Sequence, residues 1–137
     1  MKVAEIMTPN PITIGPTDTV GEVDRILFEQ GIRQLPVAQG SNLVGIITDR
    51  DIRSFLSGKY FDSQRELDRA MSTQVSAIMT AKPISLSPDD DVRDAVELLI
   101  EEKIGGIPVA DQSEGVVGIV TYVDVLKCFL EDLDQRG

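Results

Sequence analysis

The sequence predicts a mixed α/β (α+β) fold made of two copies of one β-α-β-β-α unit, and three observations carry that expectation. Slid by 72 residues, the chain matches itself: VAEIMTPNPITIGPTDTV (3–20) lies over VSAIMTAKPISLSPDDDV (75–92), and FEQGIRQLPVA (28–38) over IEEKIGGIPVA (100–110). Within each copy the hydrophobic period alternates between helical and extended. The offset grows to 73 only past the turn QGSN (39–42), which faces the longer DQSEG (111–115). A length change confined to such a turn is one a fold tolerates. Two copies are too few for a solenoid, so a pseudo-twofold pair sharing one core is expected. The boundaries read as a first repeat over 1–58, a helical connector over 59–73 and a second repeat over 74–137.

The elements follow in order. PITI and PISL, set up by Pro11 and Pro83, read as short extended segments. Thr19-x-x-Glu22 reads as a capping box opening a helix that carries Val20, Val23 and Leu27 on one face. Val92, Ala95, Val96 and Leu99 repeat that face. QLPVA and LVGIIT read as a hairpin around QGSN, with IPVA and VVGIVT as its counterpart. A last helix follows each, DIRSFL and DVLKCFLEDL. In the connector, Ser63-x-x-Glu66 is a second capping box, turning Leu67, Ala70 and Met71 inward.

Composition narrows the function classes. Of 137 residues 42% are hydrophobic, but only 4% are aromatic and Trp is absent, so Ile, Val and Leu must fill the core. The formal charge of -10 argues against duplex nucleic acid or an anionic membrane as partner. Cys128 is alone, which rules out an intrachain disulfide and makes it a packed apolar residue rather than a redox switch. With no His, the usual zinc sites and the commonest general base are missing. No Walker-type stretch, metal-ligand cluster or reactive Cys context is present. No apolar run approaches membrane-spanning length, and MKVAEIMTPN lacks the apolar segment of a signal peptide. The expectation is a cytoplasmic protein that is not an enzyme and holds no metal or catalytic cofactor.

What repeats most faithfully is a heptad: GIITDRD at 45–51 and GIVTYVD at 118–124. Two readings of it stand side by side. Thr-x-x-Asp at a strand-to-helix junction fits a helix cap, with Thr48 accepting an N–H and Asp51 near the positive end of the dipole. Gly45 and Gly118 then mark a bulge or a close backbone approach, and Met7 and Met79 are core residues. The same geometry suits a ligand. A helix start favours anions, a carboxylate accepts from both hydroxyls of a diol, and glycine admits a close neighbour. Together these fit a ribose bearing a phosphate.

The complete pattern is IMT-x-x-P-I-x-I/L, then LPVA or IPVA, then VGI(I/V)T-x-x-D. It resembles the CBS domain, named after cystathionine β-synthase, in tandem over nearly the whole chain. The resemblance implies a stand-alone pair, or Bateman module, whose units pack through their sheets and commonly form a homodimer. It implies a regulatory sensor of adenosine-containing ligands: AMP, ADP or ATP, or else S-adenosylmethionine, an NAD-type cofactor or a cyclic dinucleotide. By position, the family's ribose-binding aspartate and its threonine fall on Thr48 and Asp51, and on Thr121 and Asp124. The base-lining segment falls on Thr8, Pro11 and Ile12, and on Thr80, Pro83 and Ile84. The positions that can carry phosphate-binding cations fall on Arg33 and Gln34, and on Gly105 and Gly106.

The copies differ chemically. The first places Arg33, Arg50 and Arg53 around its motif, where the second has Gly105, Val123 and Leu126, with Lys127 as its nearest cation. Guanidinium groups hold phosphate through charge-assisted bonds, so the first motif is expected to be the better nucleotide site. The competing account is that these arginines are solvated or balance Asp49, Asp51 and Asp62 on an acidic surface, Arg53 above all, and a pocket can also borrow groups from the other copy or from a second subunit. Tyr122 replaces Asp49 and reads as an exposed or packed ring. The leading function is a nucleotide sensor signalling to a separate, unidentified protein. The alternative is a ligand-independent dimerisation or scaffolding module in which Thr48 and Asp51 only cap helices.

Overall fold

Two β-hairpins organise the chain. The computed structural model describes all of residues 1–137. In chain order it contains α1 (Val3–Ile6), β1 (Thr8–Pro9), α2 (Val20–Gln30), β2 (Gln34–Gln39), β3 (Asn42–Thr48), α3 (Asp49–Leu56) and α4 (Gln64–Met71). A 3-10 turn (Val75–Ala77) leads to β4 (Thr80–Ala81), α5 (Val92–Glu102), β5 (Gly106–Asp111), β6 (Gly115–Thr121) and α6 (Tyr122–Arg136). The hairpins share one register. Gln34 faces Thr48 as Gly106 faces Thr121, and the pairing shifts after Val37 in one and after Val109 in the other. The extra residue of the second copy sits wholly in its turn, between Asp111 and Gly115.

The chain forms two compact units that do not follow the repeat boundaries 1–58 and 74–137. Unit 2 comprises residues 12–83, including the connector; unit 1 comprises residues 1–11 and 84–137. Each unit therefore borrows the opening segment of the other repeat. In unit 2, β4 pairs antiparallel with β3, giving the order β2-β3-β4. In unit 1, β1 pairs antiparallel with β6, giving β1-β6-β5. The heptad glycine makes room for the borrowed strand. A Cβ on Gly45 would strike Met79 Sδ and stand 3.0 Å from the Thr80 carbonyl oxygen. On Gly118 it would strike Met7 Sδ and stand 3.1 Å from that of Thr8. The glycines thus mark a close approach, with the repeated methionines as the residues that approach.

PITI and PISL do not form the expected strands. Ile14 N donates to Pro36 O (3.1 Å) and Ala38 N to Ile14 O (2.8 Å), an isolated parallel bridge at Ile14 and Val37. Leu86 does the same with Pro108 (3.0 Å) and Ala110 (2.8 Å). Each segment lies between two prolines, Pro11 and Pro16 or Pro83 and Pro88, which lack donors and cut the ladder short. Ile14 and Leu86 still point inward and are buried.

The expected capping boxes are half made. Thr19 Oγ1 accepts from Glu22 N (3.2 Å), but the Glu22 carboxylate turns to Arg25. Ser63 Oγ accepts from Glu66 N (3.3 Å), while Glu66 Oε2 accepts from Asp62 N (2.8 Å). The hydroxyl fixes the helix start, and the acid is free to find a nearer donor. Each unit has its own core. In unit 2, Val20, Val23 and Leu27 of α2 pack with Leu35, Val37 and Ile47. In unit 1, Ala95 of α5 packs with Val3, Leu86, Ile107, Val109 and Val120. No aromatic side chain is among the buried residues. No helix is long and apolar enough to cross a membrane.

Candidate functional site

The repeated heptad stands where the central strand of each sheet turns into a helix. Thr48 is extended (φ -123°), and the helix begins at Asp49. Thr48 Oγ1 accepts from Asp51 N (3.1 Å), and Asp51 Oδ2 accepts from Thr48 N (2.9 Å). Thr121 and Asp124 reproduce this box at 3.3 and 2.9 Å, with Thr121 Oγ1 also 3.2 Å from Asp124 Oδ2. The capping reading is therefore correct for both motifs. It accounts for only one oxygen of each carboxylate, and both aspartates remain half-buried rather than enclosed.

Two further segments meet each motif. The backbone before LPVA and IPVA joins the helix start: Asp49 N donates to Arg33 O (2.9 Å) and Tyr122 N to Gly105 O (3.3 Å). Gln34 and Gly106 lie directly opposite Thr48 and Thr121. The segments after IMT arrive crosswise, contrary to a grouping by repeat. Thr8 lies opposite Ile119, and its Oγ1 donates to Asp124 Oδ1 at 3.1 Å. Thr80 lies opposite Ile46 in the unit that contains Asp51. Pro11 falls with Asp124 and Pro83 with Asp51, while Ile12 and Ile84, both partly exposed, remain in the unit of their own repeat.

This crossing brings in a pair that the motif alignment passed over. Lys82 follows β4 in unit 2 and Asn10 follows β1 in unit 1, both with φ 49°. Lys82 N donates to Val44 O (3.4 Å) and Asn10 N to Val117 O (3.1 Å). The signal was available in TPNP over TAKP, once the borrowed strand is assigned to the right sheet.

The charges around the two motifs differ sharply. Arg33 and Arg50 are exposed and make no ion pair, whereas Arg53 Nη1 lies 3.1 Å from Asp49 Oδ2. Arg53 thus balances a neighbour, the alternative that the sequence left open. At the matching positions of unit 1, Val123 and Leu126 are exposed apolar side chains and Tyr122 is a partly exposed ring. Unit 2 has eight Lys and Arg against nine Asp and Glu, a net charge of -1. Unit 1 has five against fourteen, a net charge of -9. Cys128 is half-buried, its Sγ 3.7 Å from Met1 Sδ, and its neighbours Phe129 and Leu130 are exposed.

A family model, the CBS domain, matches residues 3–58 and again 75–131. The protein MJ1225 of Methanocaldococcus jannaschii is 29% identical over 144 residues, which span 99% of this chain and 51% of that one. The chain thus covers about half the length of that relative. CBSX2 of Arabidopsis thaliana, solved in complex with AMP, superposes with a TM-score of 0.81 at 27% identity, over 95% of this chain and 96% of that one. The CBS domain pair of protein MJ0100, solved with 5′-methylthioadenosine and S-adenosyl-L-methionine, gives a TM-score of 0.80 at 30% identity, over 96% of this chain and 98% of that one. The chain belongs to the CBS-domain family.

Proposed function

We propose that this CBS-domain pair is a cytoplasmic, non-enzymatic regulator that binds an adenine nucleotide in unit 2 and passes the information to a separate protein. The observation that carries the reading is the pairing of Asp51, with an oxygen left over from capping, and two exposed arginines without ion pairs, Arg33 and Arg50. In this reading the Asp51 carboxylate accepts from the ribose diol and Thr48 supplies a hydroxyl beside it. The base lies against Ile12, Thr80 and Pro83, with Gln34 beside the sugar. Arg33 and Arg50 hold the phosphate through charge-assisted bonds, each worth roughly 1.5–3 kcal/mol when well placed. Related CBS pairs have been solved with AMP and with 5′-methylthioadenosine and S-adenosyl-L-methionine, which supports an adenosine ligand. Regulation requires the nucleotide to favour one of two conformations.

A thermal-unfolding panel with AMP, ADP, ATP, NADH and cyclic di-AMP tests this. At a hundred times Kd a ligand adds about 2.7 kcal/mol, a rise of roughly 5–10 °C for a chain of this size. The rise should shrink in Arg33→Ala and Arg50→Ala, whose own melting temperatures stay near wild type. No rise with any adenosine compound would leave the second reading, a ligand-independent module that forms homodimers or scaffolds. One observation favours that reading: α6 exposes Val123, Leu126, Phe129, Leu130 and Leu133 along one stripe.

A further inference from the structure

α6 carries a surface that the shared fold does not call for. Val123, Leu126, Leu130 and Leu133 follow one another at steps of three, four and three residues, and Phe129 lies beside them. All five are exposed, each between 43% and 58%, and the core of unit 1 is filled without them. Alternating steps of three and four make the seam along which one helix packs against another. Unit 2 has no equivalent. Its α3 puts Arg50 and Arg53 where Val123 and Leu126 stand, and it ends at Leu56, before the counterparts of Leu130 and Leu133 are reached. A stripe that the duplicated fold required would recur. This one belongs to unit 1 alone and marks a contact with another molecule.

Charge selects the kind of molecule. Arg93 and Arg136 are already engaged by Glu97 and Asp132, at 3.2 and 3.0 Å. On α6 that leaves Lys127 against Glu131 and Asp134, and α5, which packs beside α6, adds the exposed Asp94, Glu101 and Glu102. The surround of the stripe is therefore acidic, as is unit 1 as a whole with its net charge of -9. A second copy brought in through its own α6 sets one such unit against another, and like charges facing each other across a contact oppose binding. A basic partner is attracted instead. We propose that α6 is the docking face for an amphipathic helix of another protein, with large aliphatic side chains along one edge and Lys or Arg on its flanks. Resting on the regulatory reading above, this is the surface through which the separate protein is engaged. The apolar edge of the incoming helix fills the stripe, and its cations meet Glu131, Asp134 and the acids of α5.

Fluorescence anisotropy with two labelled peptides tests this on the full chain. Each has leucine at the a and d positions of about three heptads; one carries lysine at e and g and its twin glutamate, and the like charges keep either from pairing with itself. The lysine peptide should bind, lose affinity as salt rises, and exceed the glutamate twin by at least about tenfold. Leu130→Glu adds a negative charge while spoiling the stripe, so it separates the two contributions. The lysine peptide should bind it at least about tenfold more weakly, with the melting temperature of the chain unchanged. Equal or stronger binding to Leu130→Glu, equal binding of the twins, or no binding at all would overturn the proposal. Sedimentation velocity should give wild type and Leu130→Glu the same mass; a dimer that Leu130→Glu splits assigns the face to a second copy and overturns it as well. The nucleotide-induced rise in melting temperature should persist in Leu130→Glu, so failure of this surface and failure of the nucleotide site are told apart.

Discussion

Units 1 and 2 are nearly the same inside and unlike outside. Leu35 and Ile107, Val37 and Val109, and Ile14 and Leu86 are buried at equivalent positions. Both hairpins keep one register, both admit a borrowed strand against a glycine, and both close a reciprocal Thr-Asp box. Outside, one unit is nearly neutral and the other strongly acidic. α3 is 8 residues long with Arg50 and Arg53 exposed; α6 is 15 residues long with an apolar stripe. A close-packed interior penalises volume changes, at roughly 1.5–3 kcal/mol for the burial of each large apolar side chain, and so holds duplicated cores alike. The surface has no such constraint. What the copies share explains the fold, and what separates them bears on the ligands.

The hardest test of the shared interior is to fill the glycines. Gly45→Ala and Gly118→Ala should each cost about 1–3 kcal/mol in urea unfolding, because a carbonyl oxygen as well as a sulfur stands in the way. Part of the loss should return when Met79→Ala or Met7→Ala accompanies it, a coupling that a double-mutant cycle reads directly. A large cost in one unit and none in the other would break the likeness of the interiors.

Thr8 and Thr80 sharpen the contrast at a smaller scale. Thr8→Val removes a hydrogen bond to Asp124 and should cost about 0.5–1.5 kcal/mol. Thr80 has no such bond to Asp51, so Thr80→Val should change the unfolding midpoint very little. Equal costs for the two would erase the asymmetry in how the carboxylates are held.

The smallest effect distinguishes the turns. The Asp111 carboxyl is held below the ordinary carboxylate value, first by the Ser113 hydroxyl and then by the Ser113 backbone N–H. Its contribution is therefore fully present above the ordinary pKa of about 3.9 and is lost as pH falls through the lower folded value. The turn of unit 2 has Gln39 at this place and no such dependence. In an NMR acid titration the Ser113 amide should move with a depressed midpoint while the Ser41 amide stays still. An ordinary midpoint for Asp111 would mean that the bonds to Ser113 do not persist in solution.

Much of this was legible in the sequence. The hairpins, the principal helices and the Thr-Asp caps follow from local rules, since turn residues, apolar periodicity and capping hydroxyls act within a few positions. The repeat itself predicted the equivalent registers. What escaped is non-local. Nothing in the spelling of IMTPNP says whether that strand pairs with β3 or β6, because both sheets offer the same glycine. That choice decides that Thr8 joins the second motif and Thr80 the first. Proline pairs around PITI and PISL could have warned that those segments form one bridge and not a ladder. At Glu22 and Glu66 the box pattern failed because Arg25 and the Asp62 N–H offered the acids other partners.

The exchange of opening segments also sets an order of events as the chain is made. Unit 2 has all its parts once residue 83 has emerged. Unit 1 does not: β1 must wait, with Met7 uncovered, until β6 and the start of α6 follow, since the bond from Thr8 to Asp124 spans 116 residues. Such a long closure is slow, and where chains are crowded the waiting strand can meet the β6 of another chain before its own. Synthesis at high local concentration should therefore yield some pairs of chains joined by swapped N-terminal strands. Dilution will not separate them quickly, because release requires unit 1 to open.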